Sequence, residues 1–124
     1  MRPENPAARE GRRPEYKEHP LWSRAMGLAR DAYACAGDLR ERDEKGARAL
    51  RRAAVAVPAH VANALSASGT RRSEEALAAR AALAEVAWRL ADSSLRGSDE
   101  LRGRADELGV AIAFELSASD GPVS

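Results

Sequence analysis

Apolar residues recur along this chain at helical spacing in four blocks, separated by short stretches rich in charge, serine and glycine. The first block follows Pro20, a residue suited to a helix's opening turn because its missing N–H would find no partner there anyway. Leu21/Trp22, Ala25/Met26, Ala29, Ala32/Tyr33 and Ala36 make one stripe, and Gly37-Asp38 marks its end, with charged residues beyond that could carry it a turn further. Asp38 to Gly46 is charge-dense and reads as a connection. In the second block Ala47, Leu50, Ala54, Val57, Val61 and Leu65 step by 3, 4, 3, 4 and 4, the mark of one buried stripe. Pro58 falls inside this block. Proline removes a helical hydrogen bond and crowds the preceding turn, so a bend near Ala54 to Pro58 is expected; the apolar period stays in phase beyond it, so the helix should continue.

Ser66 to Thr70 breaks the pattern. Ser73, followed by Glu74 and Glu75, reads as a helix start with acids near the positive end, and Thr70 is the alternative cap. Leu77, Ala81, Ala84, Trp88, Ala91 and Leu95 form a stripe in the third block, and Leu83, Val86 and Leu90 widen it to more than half the helix. Gly97-Ser98 closes that element. Ser98 is the expected cap of a fourth helix, with the stripe Leu101, Ala105, Leu108, Ile112 and Leu116. Four helices with short connections predict an all-α, up-down-up-down antiparallel four-helix bundle over residues 19–117. Residues 1–18 mix charges and prolines and read as a disordered or loosely docked arm, and 118–124 as a flexible tail.

Composition sharpens this picture. Of 124 residues, 44% are hydrophobic and 31% charged, yet Leu, Ile, Val and Phe together number only 20, whereas alanine numbers 28. Scarce β-branched and aromatic residues argue against a strand-rich fold. No apolar run reaches the ~18 residues of a membrane span, and one cysteine excludes a disulfide framework. Cys35, set among alanines, reads as a small, half-buried helix residue. The chain opens without a charged-then-apolar leader pattern, so the cytoplasm is the expected compartment. About half of the inward positions are alanine, which lets helices approach closely but buries little apolar area. A core so thin, beside a third helix with two apolar faces, predicts self-association.

Candidate chemistry is sparse. His19 and His60 are too few and too far apart for a metal site, and His60 is expected to bond backbone groups freed by Pro58 or to face an interface. Glu85 and Asp92 share a helix face, where a solvated or interhelical ion-pairing role is expected and not a catalytic pair. Ser68-Gly69-Thr70-Arg71-Arg72 lacks the lysine and spacing of a phosphate loop. Neither catalysis nor a metal or cofactor is therefore expected. The basic residues are the better candidates: Arg48, Arg51 and Arg52 lie together off the apolar stripe of the second helix, with Arg71 and Arg72 in the loop at its far end. Guanidinium groups match phosphate with a planar, bidentate fork. The alternative is a solvated face, with Glu44 placed to pair with Arg48. The net charge of +1 favours neither. Trp22 and Trp88 each fall on an apolar stripe and are expected to pack in the core.

The stretch Arg51-Arg52-Ala53-Ala54-Val55-Ala56-Val57-Pro58-Ala59-His60-Val61-Ala62 resembles the "RRAAVSIPANIAEG" signature of the four-helix-bundle proteins known as 23S rRNA intervening-sequence proteins. Leu21-Trp22 with Ala25, Leu28, Ala29 and Tyr33 is similar to that family's first helix, and Ala82-Leu83-Ala84-Glu85-Val86 to its "SLAEL" segment. The likeness spans residues 20–116. His60, Asn63 and Ala64 stand where the family carries Asn, Glu and Gly. The resemblance implies a small bacterial four-helix protein, often a homopentamer, without an assigned enzymatic activity. A related branch, the accessory proteins of diversity-generating retroelements, binds nucleic acid and a reverse transcriptase. It thus implies, as partners, further copies of the chain together with structured RNA or DNA; a protein–protein adaptor that binds no nucleic acid is the alternative.

Overall fold

A computed structural model describes residues 15–93 and 95–117. It contains four α-helices: α1 (Pro20–Leu39), α2 (Glu44–Leu65), α3 (Gly69–Ser93) and α4 (Ser98–Ile112). A 3-10 turn (Glu15–Glu18) precedes them and a π-helical turn (Ala113–Ser117) follows, with no strand among the described residues. α1 packs on α2, α2 on α3, α3 on α4 and α4 back on α1, a circuit closed around one core. The expected tail, and the expected arm up to residue 14, lie outside the described residues. The arm's last four residues form the 3-10 turn, which packs on α1 and α2.

Local chemistry sets the helix ends. Pro20 opens α1, and the His19 ring caps it, Nδ1 accepting from the Leu21 N–H at 3.1 Å. Asp43 caps α2 by accepting from the Gly46 N–H at 2.8 Å. A Cβ at position 46 would collide with the Asp43 carboxylate and push the cap aside, so glycine there lets the cap form. α2 then runs unbroken from Glu44 to Leu65 with Pro58 buried inside it.

Two helix starts differ from expectation. α3 begins at Gly69, before both Thr70 and Ser73; Gly69 takes a left-handed φ of 61° that turns the chain directly into the helix. α4 is preceded by Gly97, also left-handed at φ 82°, and Ser98 is the first helical residue, buried, with no side-chain cap. α3 itself ends at Ser93, whose hydroxyl donates back to the Leu90 carbonyl and accepts from the Leu95 N–H. Leu95 therefore sits in the connection, partly buried, instead of continuing the stripe.

The core is as alanine-rich as the composition suggests: of the 25 buried apolar residues described, twelve are alanine. Leu21, Leu50, Leu90, Leu108, Ile112, Val57, Val61 and Val86 supply its large, fully buried side chains. On α3 the structure corrects the choice of stripe. Ala76, Ala79, Leu83, Val86 and Leu90 are buried, whereas Leu77 and Trp88 are 59% and 54% exposed and Ala81, Ala84 and Ala91 face outward. Burying this side encloses three aliphatic side chains at the middle of the helix, with two alanines that let the backbones approach. The alternative side offers only Leu77 and Trp88, separated by alanines. Trp88 is consequently a surface residue, with the Arg89 guanidinium 4.5 Å above its ring. Trp22 is half-buried against the core, its ring edge-on to Tyr16 at 5.5 Å.

Candidate nucleic-acid interface

The five arginines singled out by sequence have three different environments. Arg48 and Arg52 stand four residues apart on the outward crest of α2, both exposed. Neither forms a hydrogen bond or ion pair among the described residues, and the expected Glu44–Arg48 pair does not form. Arg51 lies between them in sequence but leans onto α1. Its guanidinium carbon sits 4.3 Å above the Tyr33 ring, and its Nε donates to the Tyr33 carbonyl at 3.2 Å. Gly37 leaves room for this arm, since a Cβ there would come within 3.3 Å of Arg51 Nη2. Stacking and one hydrogen bond thus orient the Arg51 fork while Arg48 and Arg52 remain free to meet an anion.

Arg71 and Arg72 do something else. Arg72 is half-buried, and its Nε donates to the carbonyls of Ala64 and Ala67 at 3.1 and 3.0 Å, covering the C-terminal end of α2. The Ala64 carbonyl also accepts from the Ala67 N–H at 3.2 Å, and the Arg72 cation suits the negative end of the helix. Arg71 is exposed, with Nε 3.5 Å from Glu75. Thirteen residues of helix separate Arg52 from Leu65, a rise of roughly 20 Å. Arg71 and Arg72, expected in a loop, lie in the first turn of α3, because the left-handed Gly69 starts that helix early, and they do not share one patch with the crest arginines within a chain.

Glu75 is the centre of a polar cluster joining α2 to α3. Its Oε1 lies 2.8 Å from His60 Nδ1 and 3.2 Å from Asn63 Nδ2, and Oε2 faces Arg71. The hydrogen bond from His60, followed by that from Asn63 and the nearby positive charge, holds the Glu75 carboxyl below its ordinary value. His60 therefore bonds a side chain across the helix interface, not the backbone freed by Pro58. Of the two acids on α3, Glu85 pairs with Arg89 at 2.7 Å and Asp92 is exposed. Burial first, and then the charge of Asp38, push the half-buried Cys35 thiol up, keeping it protonated. Among the described residues no group of three His, Cys, Asp or Glu is placed to hold a metal ion, and no helix is long and apolar enough to cross a membrane.

Two features were not anticipated from sequence. Arg42 donates from Nη2 to the Ser93 carbonyl at 2.9 Å, so the α1–α2 connection ties down the end of α3 much as Arg72 covers the end of α2. An arginine just outside a helix is a usable signal for such a role, but its partner helix here is distant in sequence. The second feature is the exposed apolar crest of α3, taken above as core. No family profile, no curated protein and no solved structure matches this chain.

Proposed function

We propose that this protein is a non-enzymatic, self-associating helical scaffold that contacts the phosphates of structured RNA or DNA through the arginines of α2. One observation carries the nucleic-acid reading: Arg48 and Arg52 are exposed and unpaired on one side of α2, next to an Arg51 fork already oriented by Tyr33. Phosphate would complete the hydrogen bonding of these groups without displacing any internal partner. Arg71 belongs at most to the periphery of such a surface, and Arg72 supports it through the fold. The few residues between Leu39 and Glu44, between Leu65 and Gly69 and between Ser93 and Ser98 support up-down-up-down topology, because short links favour antiparallel neighbours. The likeness of residues 51–62 to the 23S rRNA intervening-sequence proteins supports a homopentamer. Repetition around a ring would gather the crest arginines into a continuous basic surface, which a single chain with a net charge of +1 does not have.

A protein–protein adaptor is the second reading, favoured by the exposure of Leu77, Trp88, Val110 and Phe114. Filter binding of a labelled, structured RNA between ~50 and ~300 mM salt separates the two. The proposal expects affinity that falls steeply with salt, and collapses in an Arg48→Glu/Arg52→Glu variant that stays helical. An absence of binding at ~50 mM salt would refute phosphate contact and leave the adaptor.

A further inference from the structure

We propose that copies of this chain associate head to tail, the groove between α1 and α2 of one copy receiving the α3/α4 face of the next. The inference rests on the self-association reading above and specifies its surfaces and symmetry.

Two apolar surfaces remain open on different sides of the bundle. The first is a groove of about 580 Å³ between α1 and α2, lined by Met26, Ala29, Tyr33, Val55 and Pro58, with Arg30 at its edge. Tyr33 and Val55 are 45% and 50% exposed there. The second is a groove of about 710 Å³ between α3 and α4, lined by Leu77, Ala81, Ala84, Val110 and Ala113. Trp88 extends its crest along α3, and Phe114, 76% exposed, follows Val110 by four residues. The helix circuit puts α1/α2 and α3/α4 on different flanks of the core, so one copy cannot cover its own second face.

The charges flanking the two surfaces are complementary. Around the α1/α2 groove Arg30, Arg48 and Arg52 are exposed and unpaired, and Arg51 rests on Tyr33. Around the α3/α4 face Glu74, Asp106 and Glu115 are exposed and unpaired, against Arg80 and against Arg89, which lies over Trp88 and is paired with Glu85. Two copies meeting through the same α1/α2 groove would bring arginines against arginines; the α3/α4 faces, meeting each other, would crowd carboxylates. The unlike pairing sets cations opposite carboxylates and apolar centre against apolar centre. Arg48 and Arg52, on the crest of α2 and not in the groove, are left at the rim of the contact. An interface made of two different surfaces is heterologous: it generates a ring if the rotation between copies closes, and a filament otherwise.

Val55→Glu spoils the first surface and Val110→Arg the second, both at exposed helical positions. Light scattering should find the unmodified protein oligomeric and each variant a monomer of 13.3 kDa. Mixed one to one, the variants should form a dimer that grows no further. One intact groove and one intact α3/α4 face remain in the mixture, and both ends of the resulting dimer are blocked. Circular dichroism confirms that each variant is helical, and Tyr33→Glu or Leu77→Arg substitutes for either that is not. A monomeric unmodified protein would overturn self-association and this inference together. An oligomer that survives both substitutions would overturn the inference alone, as would variants that stay monomeric when mixed; an isologous contact would leave one of the two variants associated on its own, and that outcome too would overturn it.

Discussion

Leu90 and Trp88 stand two residues apart on α3 and should respond to truncation by very different amounts. Leu90 has 0% exposure, whereas Trp88 is 54% exposed. Leu90→Ala removes a packed side chain from a core in which many neighbours are already alanine and can move little to refill the space. The transfer and cavity terms together place the loss at about 2–5 kcal/mol. With a urea slope of about 1–2 kcal/mol per M for a domain of this size, the unfolding midpoint should fall by at least ~1 M. Trp88→Ala forfeits the stacking of Arg89, about 0.5–1 kcal/mol at an exposed site, together with the packing of the smaller, covered part of the ring. Urea titrations followed by far-ultraviolet circular dichroism at two protein concentrations measure both. The Leu90→Ala loss should be the same at each concentration, while any further loss from Trp88→Ala should grow with concentration, because it belongs to contacts between copies. A Leu90→Ala cost below ~1 kcal/mol, or a Trp88→Ala cost equal to it at low concentration, would refute the assignment of the buried stripe.

Other expectations follow from single residues. Gly97→Ala should cost about 1–2 kcal/mol in the same titration even though a Cβ there meets nothing within 4 Å, because φ of 82° is strained for any L side chain. The Glu75 carboxyl is held below its ordinary value by His60 and Asn63, so its contribution is fully present above the unfolded glutamate value of about 4.3 and is lost as pH falls through the lower folded value. Unfolding midpoints of the parent and of Glu75→Gln measured down the acid range should therefore converge as pH falls through that window. Arg72→Ala should lower stability by about 1 kcal/mol through the loss of its hydrogen bonds to the carbonyls of Ala64 and Ala67. It should leave the salt slope of RNA binding nearly unchanged, while Arg52→Ala should lower that slope by about 1 and leave stability unchanged.

The four helices were legible because each carries at least one apolar stripe in phase over several turns, and Pro58 did not mislead because the phase of Val57, Val61 and Leu65 continues past it. The choice between the two stripes of α3 was not legible. Alanine satisfies inward and outward positions alike, so the spacing of Ala81 and Ala84 reads as core although Leu83, Val86 and Leu90 are the residues that face inward. The start of α4 went astray for a related reason: Ser98 with Asp99 and Glu100 is good capping chemistry, but the left-handed Gly97 turns the chain early and draws Ser98 into the buried first turn. In the candidate site, sequence placed Arg48, Arg51 and Arg52 together correctly on α2. It could not separate Arg72 from Arg71, because their difference lies in which one reaches the carbonyls at the end of α2.

Arginine and alanine are both plentiful in this chain, and the fold connects the two. Helices whose contacts are half alanine pack closely, and their ends then lie near neighbouring connections, within reach of a long side chain. Arg42 and Arg72 use that reach to cover the ends of α3 and α2, converting surface cations into internal supports. What such a core cannot do is enclose all the large apolar side chains on both faces of α3 within one chain, and so Leu77 and Trp88 are left outside with Val110 and Phe114. A surface of that kind would be a liability on an isolated monomer. On a chain that also presents an apolar groove bordered by unpaired arginines, it has a physically matched counterpart, and the same alanine content that thins the core leaves the surface on which copies can meet.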